Sequence, residues 1–86
     1  MSFSRDMIKK YNIRLSKKFG QNFLTDEKVL HSIIESADIT KDDIVLEVGP
    51  GAGTMTRELC KRAGFVVAVE IDSQLKPVLE DALCEY

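Results

Sequence analysis

Apolar residues fall first at helical spacing along this chain and then in two short unbroken runs. A helix is predicted from Thr25, which can cap it, with Asp26 and Glu27 as favourable acids in its first turn. Five apolar residues then share one face of this helix: Val29, Leu30, Ile33, Ile34 and Ala37. The segment therefore has the pattern of a capped amphipathic helix.

The two unbroken apolar runs, residues 44–48 and 65–69, are predicted strands. Both are apolar on both faces, which is typical of a parallel sheet covered on both sides. Between them, residues 54–63 have helical spacing and stop at Gly64. A last helix is predicted after Asp72 or Ser73, and residues 1–16 fit either a short helix or a mobile segment.

Strands that alternate with helices predict an α/β fold with a parallel sheet and right-handed crossovers. Two parallel strands are too few for an independent sheet. We therefore expect the opening part of a larger doubly wound domain: a helical lead, then strand, helix, strand and helix, with the sheet incomplete.

Composition limits the function classes. Cys60, Cys84 and the single histidine, His31, are too far apart for a zinc site, and isolated cysteines fit packing thiols better than a disulfide framework. No apolar stretch reaches the roughly 18 residues of a membrane span, and the N-terminus lacks a signal-peptide pattern. A cytoplasmic protein without a metal is the expectation.

Charge is divided unevenly along the chain. Residues 1–24 hold six of the twelve basic residues and a single acid, so this segment carries +5, whereas the rest carries −7 within a net charge of −2. A basic arm on an acidic body indicates a polyanionic partner, and a merely solvated arm is an alternative of equal weight.

A glycine-rich loop, residues 49–53, follows the first strand, and Glu70 ends the second. Open α/β sheets bind ligands outside the carboxyl ends of their strands, and an acid there accepts hydrogen bonds from ribose hydroxyls. Loop and acid together predict an adenosine-type cofactor site, in preference to an ordinary turn beside a solvated acid.

The loop favours S-adenosylmethionine over a dinucleotide. A dinucleotide fingerprint would need glycine where Thr54 stands, and Pro50 removes an amide that a pyrophosphate would use. An NAD-type site remains the alternative. Glu47, two residues before Gly49, is interpreted in two ways: near the methionine amino group, or capping loop amides.

Three ordered motifs resemble those of the ribosomal RNA adenine N6-methyltransferases: KKFGQNFL at 17–24, EVGPGAGT at 47–54 and VEID at 69–72. On residue chemistry alone, the first would be a loop docked by its phenylalanines. The resemblance runs from about Arg14 to the C-terminus. Pro50 and the intact KFGQNFL are more similar to the bacterial small-subunit dimethyltransferases than to the Erm resistance enzymes.

The resemblance implies a Rossmann-like class I methyltransferase fold that binds S-adenosylmethionine, and it implies roles for matching residues. The cofactor contacts would be Asn22, Leu24, Gly49, Gly51, Glu70 and Ile71, with Gln21 beside them. Ribosomal RNA phosphates would be contacted by Arg14, Lys17 and Lys18, which gives salt-dependent affinity rather than sequence choice. The whole protein would dimethylate two adjacent adenines of 16S ribosomal RNA, with Erm-type methylation of 23S ribosomal RNA as the alternative.

Two parts of the family pattern are absent from this sequence: the catalytic Asn-x-Pro-aromatic tetrapeptide and the helical C-terminal domain. Residues 1–24 are therefore interpreted as a basic N-terminal arm, and residues 25–86 as the first part of the S-adenosylmethionine-binding domain. We expect the chain alone to be inactive, with no catalytic residue of its own and with possible self-association through unpaired strand edges.

Overall fold

A computed structural model describes residues 3–14 and 26–86 of the chain. The elements, in order, are α1 (Phe3–Lys10), α2 (Glu27–Ala37), β1 (Ile44–Val48), α3 (Thr54–Arg62), β2 (Phe65–Val69), a 3-10 turn (Ser73–Leu75) and α4 (Lys76–Ala82). Strands β1 and β2 pair in parallel, with Ile44 opposite Phe65 and Val48 opposite Val69. The predicted α/β order and both strand ranges are confirmed.

Helix α2 begins one residue later than predicted and is capped by Asp26 rather than by Thr25, which lies outside the described residues. The Asp26 carboxylate accepts hydrogen bonds from the amides of Lys28 and Val29 at 2.9 and 3.3 Å. Asp26 is well suited to this position because a charged acceptor also favours the positive end of the helix dipole.

The face of α2 that contacts the rest of the chain is narrower than the sequence predicted. Leu30 and Ile34 are buried and pack with Leu59 of α3 and with Val45 and Val66 of the two strands. Three other residues of the predicted apolar face are exposed: Val29, Ile33 and Ala37. The difference arises because only one line of α2, which carries Leu30 and Ile34 one turn apart, lies against α3 and the sheet.

Helix α3 ends at Arg62, with Ala63 as a cap residue of extended backbone, one residue before the predicted end. After β2, Asp72 caps the next turn as predicted, since its carboxylate accepts from the amide of Gln74 at 3.1 Å. Pro77 lies at the second position of α4, where its missing amide costs no helical hydrogen bond.

The described helices cover one face of the sheet only, so the part of the chain that the structure describes does not supply the predicted cover of the second face. The face with Val45 and Val66 packs against α2 and α3. The opposite face exposes six large apolar side chains: Ile44, Leu46, Val48, Phe65, Val67 and Val69. Within the described residues, the outer edge of each strand is also unpaired.

The N-terminal segment, for which the sequence allowed a helix or a mobile chain, forms helix α1 and packs against the glycine loop and α4. Met7 is buried against Ala52 of the glycine loop and against Leu75 and Val78 of the last turn and helix, with Phe3, Tyr11 and Ile13 packed around this cluster. Within residues 3–14 and 26–86, none of the helices has the length and apolarity to cross a membrane.

The two cysteines differ from the expectation of buried packing thiols. Cys60 is half-buried, and Cys84 is exposed at the end of the chain. Burial raises the pKa of the Cys60 thiol, and the nearby Glu47 carboxylate raises it further. The two thiols are free, so no disulfide joins them.

Candidate functional site

The glycine loop and Glu70 lie side by side because β1 and β2 are adjacent parallel strands whose carboxyl ends meet at one edge. The Gly49 amide continues the pairing by donating to the Val69 carbonyl at 2.8 Å. The loop then turns back, with the Gly53 amide donating to the Pro50 carbonyl at 2.9 Å. The strand register therefore brings together the two parts of the predicted site.

Glu70 is directly bonded to the loop. One oxygen of its carboxylate accepts from the Gly51 amide at 3.1 Å, and the other accepts from the Asp72 amide at 3.0 Å. A carboxylate has about four acceptor positions, so two remain for a pair of hydroxyls. Glu70 can thus hold a vicinal diol while it fixes the turn at Gly51.

Gly49 provides open space beside this carboxylate. Its φ is +74°, and a Cβ built on it meets no atom within 4 Å. A side chain there would both strain the backbone and occupy the space at the strand ends. The loop is therefore shaped for a ligand that approaches the main chain closely.

Glu47 lies behind the loop, and its hydrogen-bond partner is a side chain of α3 rather than a loop amide. Its side chain is on the covered face of the sheet, as is that of Val45 two residues earlier, and it accepts a hydrogen bond from the Thr56 hydroxyl of α3. Burial raises the pKa of Glu47, and the hydrogen bond from Thr56 opposes that rise. Thr56 was not identified from the sequence.

The remaining predicted site residues divide into two groups. Ile71 follows Glu70 and is 75% exposed, so its side chain is available at the strand ends. Arg14 is exposed, and its carbonyl accepts from the Gln74 side chain at 2.9 Å, which places it beside the turn after Glu70. Four others lie outside the described residues: Lys17, Lys18, Asn22 and Leu24.

The docking of α1 near this site was also missed in the sequence. Asp81 of α4 accepts from the Lys10 ammonium and from the Tyr11 hydroxyl, both at 2.6 Å. These bonds lower the pKa of Asp81 and raise those of Lys10 and Tyr11. The spacing of Phe3, Met7 and Tyr11 was the available signal, since residues four apart share a helix face.

Two grooves of similar size flank the fold, and one adjoins the site. A groove of about 580 Å³ lies between the outer edge of β2 and α4, with Glu70, Asp72 and Lys76 among its lining residues. A groove of about 610 Å³ on α2, lined by Val29, Ile33 and Ala37 among others, does not include the loop or Glu70. Among residues 3–14 and 26–86, no cluster of three or more histidine, cysteine, aspartate or glutamate side chains could hold a metal ion.

Comparison with protein families and curated proteins gives consistent similarities. A family model described as ribosomal RNA adenine dimethylase matches residues 12–86. Ribosomal RNA small subunit methyltransferase A of Lachnoclostridium phytofermentans is 58% identical over 82 residues, which are 94% of this chain and 28% of that protein. The protein of the same name from Clostridium acetobutylicum is 49% identical over 83 residues, 96% of this chain and 30% of that protein.

Comparison with solved structures also finds similar proteins. A dimethyladenosine transferase from Plasmodium falciparum superposes with a TM-score of 0.69 and 35% identity, covering 74% of this chain and 24% of that one. The 23S rRNA methyltransferase ErmE superposes with a TM-score of 0.68 and 45% identity, covering 74% of this chain and 26% of that one. The chain thus spans about three tenths or less of these proteins.

Proposed function

Because the chain belongs to the ribosomal RNA adenine dimethylase family, we propose that it is the cofactor-binding portion of an S-adenosylmethionine-dependent ribosomal RNA adenine dimethyltransferase. Its α/β fold is the first part of the Rossmann-like methyltransferase fold. The division into an arm, residues 1–24, and a cofactor-binding part, residues 25–86, belongs to this proposal.

The observation that carries the proposal is the hydrogen bond between Glu70 and the Gly51 amide at 3.1 Å. It places a carboxylate with two remaining acceptor positions beside the open space at Gly49. Ribose hydroxyls fit these acceptors, and the exposed Ile71 side chain offers an apolar surface for adenine. Asn22 and Leu24 complete the proposed cofactor contacts from the arm.

S-adenosylmethionine supplies an already activated methyl group, so the work of this segment is to bind and orient it. Pro50 is compatible with this ligand because the cofactor has no phosphate that would need its amide. The methyl acceptor would be the exocyclic amine of adenine, presented by parts of the protein outside this chain.

The proposed substrate of the whole protein is 16S ribosomal RNA in the cytoplasm, with Arg14, Lys17 and Lys18 contacting phosphates. The two relatives named small subunit methyltransferase A, at 58% and 49% identity, support this choice. A 23S substrate is the second candidate because ErmE is 45% identical over the region that superposes. Methylation of isolated 30S particles but not of 23S RNA is the result that the first candidate requires.

The cofactor site is tested by calorimetric titration of the complete protein that contains this segment. Glu70→Ala removes ribose acceptors and should weaken S-adenosylmethionine binding about tenfold to a hundredfold, since hydrogen bonds to charged groups contribute about 1.5–3 kcal/mol. Glu85→Ala, at an exposed acid beyond the end of α4, is the matched control. Unchanged affinity in Glu70→Ala, or tight NAD binding by the wild type, would contradict the proposal.

A further inference from the structure

The acid before the glycine loop and a threonine after it form a hydrogen bond beneath the loop. Glu47 is the fourth residue of β1, and Thr56 lies in the first turn of α3. The Thr56 hydroxyl donates to the Glu47 carboxylate. The chain between them, residues 48–55, contains the whole glycine loop, so the bond closes a short ring around it.

Both partners face the interior. Thr56 is only 1% exposed, so water does not offer its hydroxyl an alternative partner. Glu47 is half-buried beside Val45, and the burial that raises its pKa makes the loss of a donor costly for the charged form. Strand β1 and helix α3 are therefore linked by a hydrogen bond whose donor is shielded from water, which favours one relative placement of the two elements.

The loop is consequently held from two sides. On the side of the proposed ligand, the Gly51 amide donates to Glu70. On the other side, the bond between Thr56 and Glu47 joins the strand before the loop to the helix after it. From these contacts we propose that Glu47 and Thr56 are positioning residues, which fix the glycine loop in its binding geometry without touching the cofactor.

This inference rests on the proposed cofactor site, and it names the two residues that hold the glycine loop of that site in place. It differs from an interpretation in which the Glu47 charge contacts the methionine amino group. A direct contact requires the negative charge, whereas a positioning role requires an acceptor for the Thr56 hydroxyl. Glutamine at position 47 keeps a carbonyl acceptor and removes the charge, so it separates the two roles.

The experiment uses the complete protein that contains this segment, with titration of S-adenosylmethionine and steady-state methylation of RNA. Thr56→Val keeps the side-chain shape and removes the donor, and it should raise the cofactor Kd and KM about fivefold to tenfold. Thr56→Ser should restore binding to within about twofold of wild type, and Glu47→Gln should stay within about threefold. Ser36→Ala, which removes an exposed hydroxyl from α2, is the control.

Loss of folding in Thr56→Val is addressed by the double variant Glu47→Leu with Thr56→Val, because replacing both partners with apolar groups is nearly neutral for stability. It should melt close to wild type, bind the cofactor about fivefold to tenfold more weakly and keep the KM for RNA. Wild-type cofactor affinity in this variant would overturn the proposal, as would a Glu47→Gln loss as large as that of Thr56→Val. A wild-type protein that did not bind S-adenosylmethionine would instead refute the proposed function.

Discussion

Gly53 and Gly49 both have left-handed backbone, yet their surroundings differ. At Gly53, with φ +87°, a Cβ would lie 3.2 Å from Ala82 Cβ, whereas at Gly49 it would meet nothing within 4 Å. Alanine at Gly49 should cost only the strain of about 1–2 kcal/mol, and alanine at Gly53 should add about 1–3 kcal/mol of overpacking.

Urea unfolding of the complete protein with each alanine variant measures the two costs, and cofactor titration supplies the contrast. Gly53→Ala should lower the unfolding midpoint more, and Gly49→Ala should be the more harmful to cofactor binding because its methyl group enters the open space at the strand ends. Equal midpoints for the two variants would mean that α4 moves away from the loop without cost.

The same scale shows which residues the sequence can identify. The proximity of Gly51 and Glu70 was predictable, because parallel strands bring their carboxyl ends together whatever the rest of the fold does. The partner of Glu47, Thr56, was not predictable, because it depends on which face of the strand α3 covers. Its inward direction could have been inferred from Val45, two residues earlier, because side chains alternate along a strand.

At the scale of elements, apolar runs predicted both strands with the bounds that the structure has. Helix ends were less predictable, as the shift of the cap from Thr25 to Asp26 shows, because neighbouring residues of similar capping ability compete. For α1 the sequence does not decide between a helix and a mobile segment. Phe3, Met7 and Tyr11 have helical spacing, but the surface they cover, Ala52 and α4, is formed only in the folded chain.

The docking of α1 gives a prediction for Asp81, which accepts from both Lys10 and Tyr11. Asp81→Ala removes both contacts and leaves the apolar packing of Met7 and its neighbours Phe3, Tyr11 and Ile13. Because exposed ion pairs contribute little to global stability, the unfolding midpoint should change little, while the amides of α1 exchange with solvent faster. Hydrogen exchange read by mass spectrometry tests this, with Glu80→Ala as the neighbouring control. Unchanged exchange in α1 would show that its docking does not depend on the contacts of Asp81.

At the scale of the whole molecule, the apolar pattern of the strands indicated a sheet buried on both faces, and the described helices cover only one. The pattern was informative even so, because it identifies a surface that is suited to burial rather than to water. The exposed face carries six large apolar side chains, and within the described residues the outer edges of β1 and β2 are unpaired, which is a surface that a soluble monomer rarely leaves open.

The chain of 86 residues should therefore self-associate in solution. Leu46 and Val67, which are 66% and 42% exposed, lie opposite each other on the uncovered face, so lysine at both positions should oppose face-to-face burial through its charge. Sedimentation velocity over a range of concentrations should show larger species for the wild type and mostly monomer for Leu46→Lys with Val67→Lys. Val29→Lys, on the exposed face of α2, is the control.

Association that survives both sheet lysines would assign the contact to the strand edges. A wild-type chain that is monomeric at every concentration and has one sharp melt would contradict the prediction, because the apolar face would then be stable in water.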